Sequence, residues 1–434
     1  MRILLVTDEI WNDRVFGNNV LQNWFEGMDD VEFAQICATP GKPLNTMCFK
    51  YFQLTDMMML KSLFGHRAGH AFEVSRQEMM IEPQTRNYIA ESPFYSFMKR
   101  ISGDGLRLVR ECLWTVGRIN RKEISKFINN FEPDIIFCPR KLSWKLMRIE
   151  KIVAKCSTAP IIAFTADDEA SFRQYTWSPI FWLNRILFRH AFKKHVKIYK
   201  EYFTFSEDQN NEYASKYGVD TGLMYKCGEF TSPYKIKAIG DPIRLVYAGR
   251  LYCNRWKTLA HIGEALSFIN KDGVRMVLDV YTQDILTDKQ KKELTQEKYI
   301  YLKGTVTPSQ LQEVYRNADI ALHVESFDRR NRLLTRVSFS TKIIDLMAST
   351  CAIMAICWKE HTGYKYLKEN DAAFCIDSYD QIYYDLKEIC DHPSLISLYA
   401  NKAFECGRKN HNKPNMQNKI KQHFSHIIST YNNN

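Results

Sequence analysis

Four arginines and three hydroxyl residues gather just ahead of an apolar helical pattern: Arg329, Arg330, Arg332 and Arg336, then Ser338, Ser340 and Thr341 before KIIDLMA. The first turn of a helix offers backbone N–H groups with no partner inside the helix and the positive end of its dipole, so such a stretch suits an anion, phosphate above all. Lys342 and Asp345 follow within that pattern. Asp345 either serves a ligand or pairs with Lys342 one turn earlier. A second basic turn, GRLYCNRWK, holds Gly249, Arg250, Arg255 and Lys257. Its guanidinium and ammonium groups either grip phosphoryl oxygens or form a solvated basic loop. In the first half of the chain, Asp167 and Asp168 stand just past the apolar run Ile161 to Phe164. Open α/β sheets bind ligands at the carboxyl ends of their strands, which makes this pair a candidate for chemistry, with capping of the next helix as the competing role.

The elements that must position these residues alternate between two periodicities. Around the first cluster, Ile320 to Val324 reads as a strand, Glu325 to Ser338 as a long polar loop, Ser340 to Met347 as a helix and Ala352 to Ile356 as a strand, a βαβ unit of a parallel sheet. The basic turn lies between a strand, Ile243 to Ala248, and a helix, Lys257 to Phe268. The chain opens in the same way, with strand Ile3 to Thr7, a loop ending at Gly17 and a helix through Val20, Leu21, Trp24 and Phe25. Gly17 is either a tight turn or part of a ligand loop, and the absence of GxGxxG argues against a dinucleotide cofactor. A second strand spans Val31 to Cys37, and residues 65–92, with His66 and His70, read as an irregular insertion. Phe94 to Phe131 is helical and leads into the strand of EPDIIFCP.

From Ser171 to Lys200 there is no acidic residue, and Arg185, Arg189, Lys193 and Lys197 recur every fourth position. That spacing puts a basic stripe on one helical face, so residues 180–200 are expected either to meet an anionic membrane or to be an ordinary helix with its basic side in water. Glu229 to Asp241 breaks both periodicities and is the expected interdomain linker. The tail from Lys413 to Tyr431 is helical and basic.

The 434 residues are enough for two domains. A formal net charge of +11 implies an anionic partner or surface without choosing among nucleic acid, lipid and phosphorylated substrate. The twelve cysteines form neither a CxxC pair nor a cluster with histidine at zinc spacing, so no metal centre and no disulfide framework is expected. The sequence starts directly on a strand, and no apolar run reaches the roughly 18 residues of a membrane span. Cytoplasmic residence is expected, with peripheral attachment to the inner face of the plasma membrane.

STKIIDLMAS with the upstream ADIALHVES resembles the nucleotide-sugar-binding segment of GT-B-type retaining glycosyltransferases, the family 4 or group 1 enzymes of bacterial surface polysaccharide synthesis. The resemblance implies two doubly wound Rossmann-like α/β domains facing a central cleft: residues 1–232 on the acceptor side, 233–412 binding the nucleotide sugar, and a 413–434 helix returning to the first domain. It implies that Asp345 holds the ribose of the donor, with Ser338, Ser340, Thr341 and Lys342 around it. Gly249 and Arg250 form the Gly-Arg turn that grips the diphosphate, with Arg255 or Lys257 as the lysine that follows. The family pattern places a glutamate where Val337 stands, which leaves Glu325 as its substitute or the loop backbone acting alone. Asp167 and Asp168 fall near the reacting sugar or acceptor, and Gly17 near the donor phosphates. The expected activity is transfer of a sugar from a nucleotide sugar, used as a substrate with no cofactor, to a saccharide or lipid-linked acceptor, with no nucleic acid as partner. Two other classes share parts of this pattern: a nucleotide-sugar epimerase of the same architecture, and a nonenzymatic basic module binding RNA or membrane.

Overall fold

The structure is a computed structural model, described here for residues 1–13, 20–77, 104–141, 143–230, 233–296 and 298–432. The chain forms two compact units, 1–172 with 176–224 and 417–434, and 173–175 with 225–416. Each unit is a mainly parallel sheet packed with helices, a Rossmann-like α/β arrangement, as expected.

In the first unit the strands β1 (Arg2–Thr7), β2 (Glu32–Cys37), β3 (Cys48–Gln53), β4 (His70–Glu73), β5 (Ile135–Pro139), β6 (Ile161–Thr165), β7 (Tyr199–Thr204) and β8 (Thr221–Leu223) lie in the order β4-β3-β2-β1-β5-β6-β7-β8. Strand β1 is a continuous apolar run because both of its faces are covered: Ile3, Leu4, Leu5 and Val6 are fully buried, and Ile3 pairs with Phe33 on one side and Ile135 on the other. Residues His70–Glu73 are not irregular. They add an edge strand antiparallel to β3, with Tyr51 opposite Phe72. The helical pattern ending at Phe131 is two helices, Asp104–Val116 and Arg121–Phe131. Gly117 marks the break, since a Cβ there would overlap the Met59 methyl, and Asn120 caps the second helix by accepting from the Glu123 N–H. The last helix, Lys413–Asn432, sets Phe424 among Phe25, Phe137 and Phe203 of this unit.

A buried charge network ties the ends of β5, β6 and β7 together. Arg140 Nε lies 3.4 Å from Glu169 and its Nη1 donates to the Tyr199 hydroxyl at 2.6 Å, while Glu150 accepts from Tyr199 at 2.6 Å and pairs with His195 at 2.5 Å. Burial raises the carboxyl of Glu150, but Arg140 and the His195 bond more than offset it and hold it at about 2. Glu169 immediately follows Asp168, so Arg140 fixes the loop that carries the aspartate pair. Arg140→Leu strands two buried carboxylates and should cost about 3–5 kcal/mol in chemical denaturation. A midpoint within error of the parent would show that the network holds nothing.

The second unit contains β9 (Ile243–Ala248), β10 (Met276–Tyr281), β11 (Ile300–Gly304), β12 (Ile320–Val324), β13 (Ala352–Ile356) and β14 (Phe374–Ile376), all parallel, in the order β11-β10-β9-β12-β13-β14. The chain enters this unit at Tyr225, upstream of the 229–241 stretch. Gly228 explains the early entry: it bonds to His411 and Lys413 through its backbone, and Phe230 packs on Phe404. Strand order reverses between β9 and β12, so the crevice beyond their carboxyl ends is the topological switch point where doubly wound sheets bind ligands.

Candidate functional site

Five of the second unit's expected residues converge on that switch point. Strand β9 ends at Ala248 and delivers Gly249 and Arg250; strand β12 ends at Val324 and delivers Glu325. Arg255 opens the helix Arg255–Ile269 and closes a bidentate pair with Glu325, Nη2 to Oε1 at 2.6 Å and Nε to Oε2 at 3.0 Å. Both side chains are largely buried. Burial works against the guanidinium charge, and the Glu325 carboxylate overrides it, holding the proton more tightly than usual. Thr258 secures the same corner by donating to the Glu325 carbonyl at 2.7 Å.

Lys342 is the second cation at the crevice. Its ammonium lies 4.6 Å above the Tyr247 ring and fills the space beside Gly249, where any Cβ would overlap it. Burial, reinforced by the Arg255 charge, pulls Lys342 down to about 8. Gly249 is thus required by its neighbour. Arg250 is exposed and pairs with Asp284 at 3.3 Å, and Asp284 also accepts from the Leu251 N–H. Lys257 is exposed on the helix beside Trp256, so Arg255 and not Lys257 occupies the crevice.

The arginine-rich stretch is not a loop. Residues Arg329–Thr335 form a helix capped by Asp328, which accepts from the Asn331 N–H at 3.0 Å. Burial would raise the Asp328 carboxyl, but hydrogen bonds from Ser326, Asn331 and Asn254 hold it at about 2. Arg329 and Arg330 are exposed, whereas Arg336 is buried. Val337 is buried as well, an apolar wall where the resemblance called for a carboxylate.

The next helix is Lys342–Ala348, only seven residues long, with Thr341 at its cap position and no side-chain cap bond. The N–H groups around its start are partly committed, Ser338 to Thr335 O at 3.0 Å and Ile343 to Ser340 O at 3.0 Å. Ser338, Ser340 and Thr341 are half-buried beside the crevice, where charge comes from Lys342 and Arg255 and not from a long helix dipole.

Asp345 does not pair with Lys342. Its two oxygens accept from Lys226 Nζ at 2.7 and 2.8 Å, while half of the Asp345 side chain stays exposed. Lys226 enters from before the second sheet begins, and nothing in its local sequence marks it.

Sequence reasoning also missed a buried trio behind Glu325. His323, Cys357 and His361 bring their ligand-type atoms within 4.8 Å of one another. Burial keeps both imidazoles below their usual range and the thiol above its own, so the trio is neutral. His361 Nδ1 accepts from the Gly363 N–H at 3.2 Å and Cys357 Sγ donates to the His323 carbonyl at 3.6 Å. These bonds place the His361 proton on Nε2 and engage the thiol hydrogen, while the buried His323 Nε2 has no hydrogen-bond partner among the described residues.

In the first unit, Asp167 and Asp168 follow β6 as expected, with different surroundings. Asp167 is exposed and its carbonyl accepts from Gln209 at 2.8 Å. The Asp168 carboxylate turns back onto Ser171, accepting from its N–H at 2.9 Å and from its hydroxyl. Neither caps the helix Pro179–His195, whose cap is Ser178. At this unit's own strand-order reversal, between β1 and β5, the unforeseen pairs Glu9–Lys141 at 2.8 Å and Asp8–Lys145 bridge the two strand ends. Gly17 lies outside the described residues.

The expected lysine and arginine stripe does not hold together. Arg185 is buried and donates to the carbonyls of Asp168 and Glu169, and Arg189 donates to that of Ala170 at 3.0 Å. Only Lys193 and Lys197 of the four remain exposed. No helix among the described residues is long and apolar enough to cross a membrane.

No family model matches the sequence, and no curated protein matches it. Solved structures do. Sucrose-phosphate synthase from Thermosynechococcus elongatus superposes at TM-score 0.62 over 99% of this chain and 99% of its own, with 11% identity. OtsA in its apo form gives 0.60 over 98% and 99%, with 10% identity. HepE of Anabaena, in complex with UDP and glucose, gives 0.58 over 98% and 99%, with 11% identity. At such identities the likeness carries the fold, and that fold is GT-B, two Rossmann-like domains, over nearly the whole chain.

Proposed function

We propose that the protein is a glycosyltransferase that moves a sugar from a nucleotide-sugar donor to a saccharide or lipid-linked saccharide, with retention, in cell-surface polysaccharide synthesis at the inner face of the plasma membrane. One observation carries the donor half of the reading: Lys342 lies against the Gly249 turn, within electrostatic reach of Arg255, at the switch point of the second sheet. A lysine ammonium held against the Gly249 backbone, with the Glu325-paired guanidinium of Arg255 nearby, suits a diphosphate that draws both cations. The likeness to structures crystallised with UDP supports the same assignment. In the reaction the bond from the sugar's anomeric carbon to the diphosphate oxygen breaks and a bond to an acceptor hydroxyl oxygen forms. Negative charge grows on the departing diphosphate, and fixed cations lower that barrier because they need no reorganisation as the charge appears. Asp345 is assigned to the ribose hydroxyls, which displace Lys226 from it, and exposed Asp167 to the acceptor side.

Thermal stabilisation by a panel of nucleoside diphosphates and nucleotide sugars tests the reading, because a ligand specific for the folded state raises the midpoint. One base should stand out, and Asp345→Ala should weaken that nucleoside diphosphate and the bare nucleoside alike, by about 1.5–3 kcal/mol. No stabilisation by any member would sink the proposal, and turnover of a donor without an acceptor would replace it with an epimerase.

A further inference from the structure

The helix Pro179–His195 faces opposite to the expectation from its arginine spacing, and the reversal has a use. Its inner side is fastened: Arg185 is bound to the loop carbonyls of Asp168 and Glu169, Phe188 stacks on Phe192, and His195 meets Glu150. Its outer side is apolar. Ile180, Leu183, Ile186 and Leu187 recur at helical spacing with 45, 54, 53 and 48% of their surface exposed, and Trp177, just ahead of the helix, is 86% exposed. The same outer line continues through His190 to Lys193, Lys194 and Lys197, all exposed. A rigid element thus presents a run of large apolar side chains followed by a run of cations, with no acidic residue from Ser171 to Lys200 to oppose an anion. Contiguous exposed apolar surface of this kind marks a docking site.

We infer that this outer face is a membrane-docking surface that lies in the plane of an anionic bilayer. Trp177 would enter at the headgroup level, Ile180, Leu183, Ile186 and Leu187 would reach the acyl boundary, and Lys193, Lys194 and Lys197 would meet lipid phosphates. The order of the residues supports lipid over other occupants. An interfacial helix needs apolar depth on one side with cations at the same level as the headgroups, and a tryptophan at the polar boundary is its usual anchor. The three lysines are turned outward, whereas the two arginines of the same helix are turned inward and hold the loop after β6. The inference deepens the transferase reading by naming the surface on which a lipid-linked acceptor is met.

Flotation with phosphatidylglycerol-rich vesicles, phosphatidylcholine vesicles and no lipid tests it on the full chain. The parent should float with the anionic vesicles, and Leu183→Glu with Ile186→Glu should lower that partition at least about tenfold, since each removes a buried aliphatic side chain and adds a like charge. Lys193→Glu with Lys194→Glu should weaken anionic binding by about fivefold or more per residue and remove its salt dependence. The lipid-induced blue shift of tryptophan emission should shrink in Trp177→Phe. Equal flotation of the parent and the Leu183→Glu, Ile186→Glu variant overturns the inference. So does light scattering that shows the parent as a dimer and this variant as a monomer, because a second copy would then cover the face. Nucleotide stabilisation is measured on the same samples: its absence in the parent counts against the transferase reading and leaves the vesicle result standing, and its retention in the variants shows that they are folded.

Discussion

Arg255→Ala should lose both stability and nucleotide binding, and the two losses should separate in a double variant. The guanidinium is held in two hydrogen bonds by Glu325 in a largely buried corner. Removing it leaves a carboxylate out of water without a partner, which costs about 3–5 kcal/mol. Arg255→Ala combined with Glu325→Gln removes the stranded charge, so it should recover most of that stability. It should not recover affinity for a nucleoside diphosphate, because the phosphate contact needs the cation. Lys257→Ala, on the solvent side of the same helix, should change neither quantity by more than about 0.5 kcal/mol. Denaturation midpoints and calorimetric nucleotide titration of the four proteins decide the matter. If the double variant binds nucleotide as the parent does, Arg255 is only Glu325's structural partner.

Only some parts of this site could be read from residues alone. The strands were legible because a parallel sheet covered on both faces demands unbroken runs such as ILLV and IALHV, and the basic turn was legible because it follows such a run directly. The GT-B arrangement followed from that alternation and from a local resemblance. Pairing was not legible. Glu325 and Arg255 stand 70 residues apart, and Lys226 and Asp345 stand 119 apart, so proximity comes from strand order and not from spacing.

Helical periodicity also leaves the direction of a face undetermined. Arginine every fourth position predicted a solvent or lipid stripe, yet Arg185 and Arg189 turn inward because the loop after β6 presents carbonyls that only long cations can reach. The helix Arg329–Thr335 escaped notice for a related reason. Polar composition reads as loop, whereas Asp328 supplies the cap that lets those arginines coil.

Nucleotide affinity should fall as pH rises through about 8, and Lys342→Met should remove that dependence. Burial and the Arg255 charge bring Lys342 to about 8, far below the 10.4 or so of an unfolded lysine. The sign for stability follows. Between those values the unfolded chain binds a proton that the native protein does not, so without ligand this group's contribution to stability rises with pH across that window and is lost as pH falls through 8. Ligand acts in the opposite direction. A diphosphate favours the ammonium and raises its pKa, so binding takes up a proton near pH 8 to 9, and above that point affinity should decline toward about tenfold per pH unit. Calorimetry in buffers of different ionisation enthalpy reads the proton directly. Gly249→Ala provides a second probe, because its Cβ would occupy the place of the Lys342 ammonium, at a backbone φ of +159° that side chains rarely adopt. It should therefore cost about 1–3 kcal/mol of stability through backbone strain and, in the protein that remains folded, reduce diphosphate affinity by about as much as Lys342→Met, in the range of 1.5–3 kcal/mol. Unchanged affinity in Gly249→Ala, with a pH profile like the parent's, would place the diphosphate elsewhere in the crevice.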